Sequence, residues 1–196
     1  MIKKLLFSTL LILGILQSAQ AEMPSSGMQN MNVDMAEMQK GMALLPFLTA
    51  PIESNDKLTS KDVELLLDAI KKKDKAYGKY SEGMQKGYEK AAQVLKKGVS
   101  FDTFVKKAIE LSGIESELNK EAESIGYDDA LDMTLKSTRI VRAMMALEME
   151  KEIAKAPKEQ QAMMRNMMSG MMGAGKPADM EVVKPYLEQF KQLQEK

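Results

Sequence analysis

The sequence predicts an all-α protein, an irregular bundle of six to seven helices, and three observations carry that reading. Apolar residues recur at spacings of three and four, as in Met31, Met35, Met38, Met42 and Leu45. No stretch shows the period-two alternation of a half-buried strand. Glycine and proline fall at the ends of the periodic stretches, at Pro46, Gly98, Gly113, Gly126 and Pro157, where they punctuate helices.

The first 21 residues are expected to stand apart from the fold. Met1-Ile2-Lys3-Lys4 is a short positive segment, Leu5 to Leu16 is apolar and uncharged, and Ser18-Ala19-Gln20-Ala21 places alanine at both positions a signal peptidase reads as small. The apolar run falls short of the roughly 20 residues that span a hydrocarbon core. The expectation is cleavage after Ala21, a chain that continues from Glu22 without a stable membrane anchor, and the periplasm as its location. With no cysteine anywhere, neither a lipid anchor on cysteine nor a disulfide is available, and stability falls to helix packing.

Residues 22–58 read as a methionine-rich N-terminal helix with a proline-containing loop, and 59–196 as a helical domain. Pro24 to Gly27 is a poor helix former, so a leader runs to Asn30. A helix from about Asn32 to Leu44 follows, with its methionines on one face, and Pro46 and Pro51 end it. Thr59 caps the next helix with Asp62 three residues on, and Val63, Leu66, Leu67 and Ile70 are its buried face. The pattern continues through Tyr77, Met84, Tyr88, Ala91 and Leu95, but Gly78, Gly83 and Gly87 each cost about 1 kcal/mol of helix stability relative to alanine. Either a bent helix to about Lys97 or a break near Gly78 fits.

Ser100 caps a short helix that buries Phe101, Phe104, Val105 and Ile109, and Gly113 interrupts it. Ile114, Leu118, Ala122 and Ile125 form the next face, closed by Gly126. Asp128 is positioned to cap the longest helix, to about Lys155, with Leu131, Leu135, Thr138, Val141, Met145 and Ile153 in one stripe, widened by Met144 and Leu147. Pro157 separates it from a helix over 157–172. Residues 173–177 form a loop, and Asp179 to Gln194 a last helix with Pro185 near its start.

Composition narrows the chemistry. Without the signal, 26 basic and 28 acidic residues remain, a net charge of −2, which suits no phosphate backbone; nucleic acid is not expected as a partner. Histidine and cysteine are both absent, which removes the usual general base and the thiolate nucleophile. No paired carboxylate motif, nucleophile elbow or phosphate loop is visible, so no catalytic residues, no cofactor and no enzymatic activity are expected.

Methionine is in excess, 19 residues of 196, and unevenly spread. Six lie between Met23 and Met42, and six form the doublets Met163-Met164, Met167-Met168 and Met171-Met172, each four residues from the next. On a helix the doublets make two adjacent stripes. Three readings compete. Methionine can be core filler in a purely structural protein. A flexible thioether face can serve apolar peptide or protein partners in a chaperone-like or stress-related role, with sacrificial oxidation as a variant. Or thioethers can bind copper(I), for which they are soft, uncharged donors that do not protonate. The residues concerned in the last two are Met163, Met164, Met167, Met168, Met171 and Met172, with Met31, Met35, Met38 and Met42 as the second cluster. Packing requires the doublets to be buried, whereas the other two need some of them accessible.

Three segments, Leu58-Thr59 through Asp62-Val63, Gly126-Tyr127-Asp128-Asp129 with Arg142-Ala143-Met144 in the helix beyond, and Val183-Lys184-Pro185-Tyr186-Leu187, carry a resemblance. Together they resemble a family of small exported all-helical proteins of proteobacteria. Ala130-Leu131 departs from that pattern, where an aromatic would follow the acidic pair. The resemblance covers the chain from residue 58 on and implies a helical fold and an envelope location, with no activity and no functional residues to carry over.

Overall fold

The computed structural model describes residues 35–71, 76–172 and 176–194, with side chains for 41–71, 82–166 and 176–193. Among these every regular element is helical: α1 Met35–Leu48, α2 Ser60–Lys71, α3 Ala76–Val94, α4 Phe101–Ser112, α5 Glu115–Ile125, α6 Ala130–Lys155, α7 Lys158–Met172, α8 Pro177–Val183 and α9 Leu187–Gln194, the last two joined by a 3-10 turn at Lys184–Tyr186. Counted with α8 and α9 as one broken rod, that is eight helical segments rather than six or seven. The stretch 59–97 accounts for the difference, because α2 packs on α6, α8 and α9 whereas α3 packs on α4 and α1. The expected export signal, the leader and Met31 lie outside the described residues.

The long helix α6 organises the molecule. At 100° per residue its Leu131, Leu135 and Met145 share one side, and Ile140, Ala143, Met144 and Leu147 the other. The first side serves a core with Phe47 and Leu48 of α1, Met84, Tyr88 and Ala91 of α3, and Phe101, Phe104 and Val105 of α4. Phe104 is its centre, stacked against Phe47 at 4.7 Å between ring centroids and against Tyr88 at 5.4 Å. The second side serves a core with Val63, Leu67 and Ile70 of α2 and with Val183, Leu187 and Phe190 from the C-terminal rod. Each fully buried apolar side chain here contributes about 1.5–3 kcal/mol. The stripe expected for α6, widened by Met144 and Leu147, leaves out only Ile140 and Ala143 of the apolar side chains on this second side. Residues 137–143 are buried without interruption, as in a helix enclosed on all sides.

Polar side chains on α6 hold down the end of α1 and the connection that leads from it to α2. Arg142 donates to the carbonyls of Leu48, at 2.6 Å, and of Ala50, at 3.0 Å from each of its two terminal nitrogens. Its guanidinium also lies 5.0 Å from the Phe101 ring centroid. Burial pushes Arg142 down to about 10 against the opposing pull of Asp102, so it remains charged at neutral pH. Arg139 makes a two-pronged ion pair with Asp179, with Nε at 2.8 Å from Oδ2, and donates to the Asp56 carbonyl. Asp102 accepts from the amides of Glu53 and Ser54 at 2.8 and 2.9 Å, Phe101 N–H donates to the Pro51 carbonyl, and Lys176 reaches the Ser54 carbonyl.

The local signals behave as their chemistry dictates, with four corrections. Thr59 and Asp62 form the expected reciprocal pair, the Asp62 carboxylate accepting from Thr59 N–H at 2.8 Å and from its hydroxyl at 2.6 Å. Gly126, at φ 112°, turns the chain after α5 so that the Tyr127 hydroxyl donates to the Asp62 carbonyl at 3.0 Å. The cap of α6, however, is Asp129 and not Asp128: its carboxylate accepts from Asp132 N–H at 2.7 Å. Pro46 lies inside α1 instead of ending it: two more residues of helix follow, and Thr49 closes the end on the Leu45 carbonyl through both its amide and its hydroxyl. Pro185 sits in the middle of the C-terminal rod, where the 3-10 turn absorbs its missing N–H. And two of the glycines counted against α3 are there for close approach. A Cβ at Gly87 would stand 2.2 Å from the Ala108 carbonyl oxygen of α4, and one at Gly83 would stand 2.4 Å from the flexible end of Ile114.

Gly87→Ala is therefore expected to destabilise the protein by about 1–3 kcal/mol despite alanine's better helix propensity, and Gly83→Ala by less, because backbone cannot move aside as a side-chain methyl can. Denaturant titration of both variants checks the order. A second prediction concerns pH. Burial alone would raise the Asp62 carboxyl, but the hydrogen bonds from Thr59 and the Lys136 ammonium at 3.1 Å outweigh it and hold it below the usual carboxylate value. A folded pKa below the unfolded one means stability present above about pH 4 and lost as pH falls from there. Asp62→Ala should cost about 1–2 kcal/mol at neutral pH, and its difference from the parent should narrow as pH drops below about 4. Unfolding free energies measured at several pH values test this.

Candidate functional site

The residues that fit a functional surface are the methionines, and the fold separates them by depth. Met84 on α3 is 5 % exposed, inside the core around Phe104. Met133, Met144, Met145 and Met149 of α6 and Met180 of α8 are half-buried. Met42 and Met163 are each 66 % exposed, the most exposed of the large apolar side chains described.

Two local arrangements put Met42 and Met163 outside. In α1 the buried side chains are Leu44, Phe47 and Leu48, held against α3 and α4 by the Phe47–Phe104 stack. Met42 and Leu45, three apart, lie side by side on the helix, both exposed. The expected helical face of Met42 and Leu45 is thus an outer strip, because Phe47 and the leucines at 44 and 48 bury more area and take the core. In α7 the first nine residues, 158–166, bury almost nothing. Only Gln161 and Met164 are half-buried, and the rest, Met163 and Arg165 among them, face solvent. Gln161 anchors this end of the helix, its side-chain amide donating to the Ala156 carbonyl at 2.9 Å.

Of the doublet residues, Met163 is thus exposed and Met164 half-buried, while the side chains of Met167, Met168, Met171 and Met172 lie outside the described residues, though all four are within α7. Met35 and Met38 are within α1 with side chains likewise outside them. Among the described residues α1 packs chiefly on α3 and α4, and α7 on α6. An exposed thioether can do two things chemically. It offers a deformable apolar contact, and it offers a soft lone pair to a metal or an oxidant. Among the described residues, no group of three or more His, Cys, Asp or Glu side chains is arranged to hold a metal. None of the described helices is long and apolar enough to cross a membrane.

Sequence reasoning missed the buried charged row on α6. Asp132, Lys136, Arg139 and Arg142 follow each other at intervals of four, three and three. Lys136 bridges Asp62 and Asp132 at 3.1 and 3.0 Å, and the two arginines hold Asp179 and the loop carbonyls. These groups engage one another and backbone, so their role is architectural. A signal was present: only three of the 28 basic residues are arginine, and two of those are three apart on the longest helix, where a planar fork that binds several acceptors at once is worth more than a lysine.

The depth of the methionines generates a prediction. Met163→Gln should leave stability within about 0.5 kcal/mol of the parent, as for surface changes generally. Met84→Gln should cost about 2–4 kcal/mol, since it places an amide in a dry core. Thermal unfolding of the two variants separates a surface role from a filler role. No protein-family model matches the chain, and neither the curated proteins nor the solved structures yield a match to it.

Proposed function

We propose that this is a non-enzymatic binding protein of the periplasm, exported by a signal cleaved after Ala21, which uses a methionine-rich helical surface to take apolar segments of peptide or protein partners. A chaperone-like or stress-related role follows from that surface. The observation that carries the reading is the exposure of Met163 on a helix whose first nine residues contribute almost nothing to either core. A methionine kept as core filler would be covered. One at 66 % exposure is open to contact from outside the chain. The matching strip of Met42 and Leu45 on α1 supports the same reading. Methionine suits such a surface because its unbranched side chain repacks against ligands of different shape. The location rests on the N-terminal charge and hydropathy pattern and on the resemblance to exported helical proteins.

Copper(I) handling in the envelope is the second reading. The exposed Met163 thioether and the four-residue spacing of the doublets favour it. One experiment separates the two. The six doublet methionines are replaced together by leucine in one variant and by glutamine in another. Each is titrated with a fluorescent, unstructured peptide rich in leucine and phenylalanine, and with Cu(I) in the absence of oxygen against a chromogenic chelator. For apolar recognition the leucine variant retains peptide binding and the glutamine variant loses it at least tenfold, about 1.4 kcal/mol. For copper handling both variants lose tight Cu(I) binding. A parent protein that binds neither ligand sinks both readings.

A further inference from the structure

Oxidation of a folded protein is decided by which electron-rich side chains an oxidant can reach. The chain has no cysteine, no tryptophan and no histidine, three of the side chains most readily oxidised. Two-electron oxidants are left with thioethers, which convert to sulfoxides and can be converted back. The thioethers are graded by depth: Met42 and Met163 stand 66 % exposed, and Met84 5 %. Met163 also lies where a polar product does no damage. A sulfoxide at Met163 would project from a stretch of α7 whose neighbours Gln160, Arg165 and Asn166 already face water. One at Met84 would place a strong dipole inside the core of Phe104 and Tyr88.

We propose that Met42 and Met163 are sites of reversible oxidation, at which hydrogen peroxide is consumed and the surface changes from apolar to polar while the fold persists. In the forward step a sulfur lone pair attacks one peroxide oxygen and an S–O bond forms. The O–O bond breaks, and the second oxygen leaves with a proton as water. Sulfur is oxidised by two electrons and the peroxide is reduced by two. In the return step the two thiols of a methionine sulfoxide reductase supply two electrons and two protons, the oxygen leaves as water, and the reductase is left with a disulfide. The sites are defined by exposure alone and do not depend on the proposed function. The consequence for apolar partners, loss of their contact surface on oxidation, rests on that function.

The test treats the folded protein with hydrogen peroxide, quenches at intervals and maps sulfoxide to individual residues by mass spectrometry. Sulfoxide is expected at Met42 and Met163 several-fold faster than at Met84. At the point where those two are converted, the helical circular dichroism and the thermal midpoint should be unchanged. Incubation with the two reductases, one for each sulfoxide epimer, should return both peptides to their original mass. Modification of Met84 at the same rate, a fall in the midpoint when only the exposed pair is oxidised, or sulfoxides that resist both reductases would each overturn the proposal. Peptide binding is read on the same samples. A reduced protein that binds no peptide counts against the function proposed above, and the mapped rates still decide the oxidation sites.

Discussion

The architecture depends on Arg142. It carries a positive charge against the core around Phe104, where the cost of removing a guanidinium from water is several kcal/mol unless its hydrogen bonds are replaced. The replacements are the carbonyls of Leu48 and Ala50, the last backbone of α1 and the first of the connection that follows it. A helix C-terminus presents unsatisfied carbonyls with partial negative charge, so cation and helix end each supply what the other lacks. That contact fixes where α1 ends, and so where Phe47 meets Phe104. Arg139 repeats the device farther along, joining Asp56 of the connection to Asp179 at the start of the C-terminal rod. Two arginines one turn apart thus tie three parts of the chain, distant in sequence, to one face of one helix.

Much of this fold is legible in the sequence because its stop signals are local. Thr59 with Asp62, Ser100 with Thr103 and Gly126 with Tyr127 act through neighbours within a few residues, and each does in the structure what its spacing implies. The resemblance segments fall on related ground, since Leu58, Val63, Ala143, Val183 and Leu187 all belong to the core around α2 and the C-terminal rod. The departures have a common cause, which is tertiary context. α1 continues for two residues past Pro46, to Leu48, where Arg142 takes the carbonyl, and Gly87 is required because α4 passes so close. No rule about single helices contains either fact.

The methionine surface was legible in composition and spacing but not in orientation. Periodicity reports that Met42 and Leu45 share a strip with each other and says nothing about which strip faces inward. On α1 that choice went to the side holding Phe47, whose ring finds Phe104. On α7 a three- and four-residue pattern that would ordinarily mark a core face begins in solvent. An amphipathic pattern identifies a face that gains from being covered. It does not say whether the cover belongs to the same molecule.

The connection between α1 and α2 has a further consequence, which concerns how freely it can change over evolutionary time. Its anchors address the main chain: arginines and Lys176 take carbonyls, and Asp102 takes amides. Glu53, Asn55 and Lys57 meanwhile stay at the surface. A segment held by its backbone is indifferent to most of its side chains and intolerant of any change in its count. The identities of residues 53, 55 and 57 are free to drift, whereas one inserted or deleted residue would shift every later carbonyl off its donor.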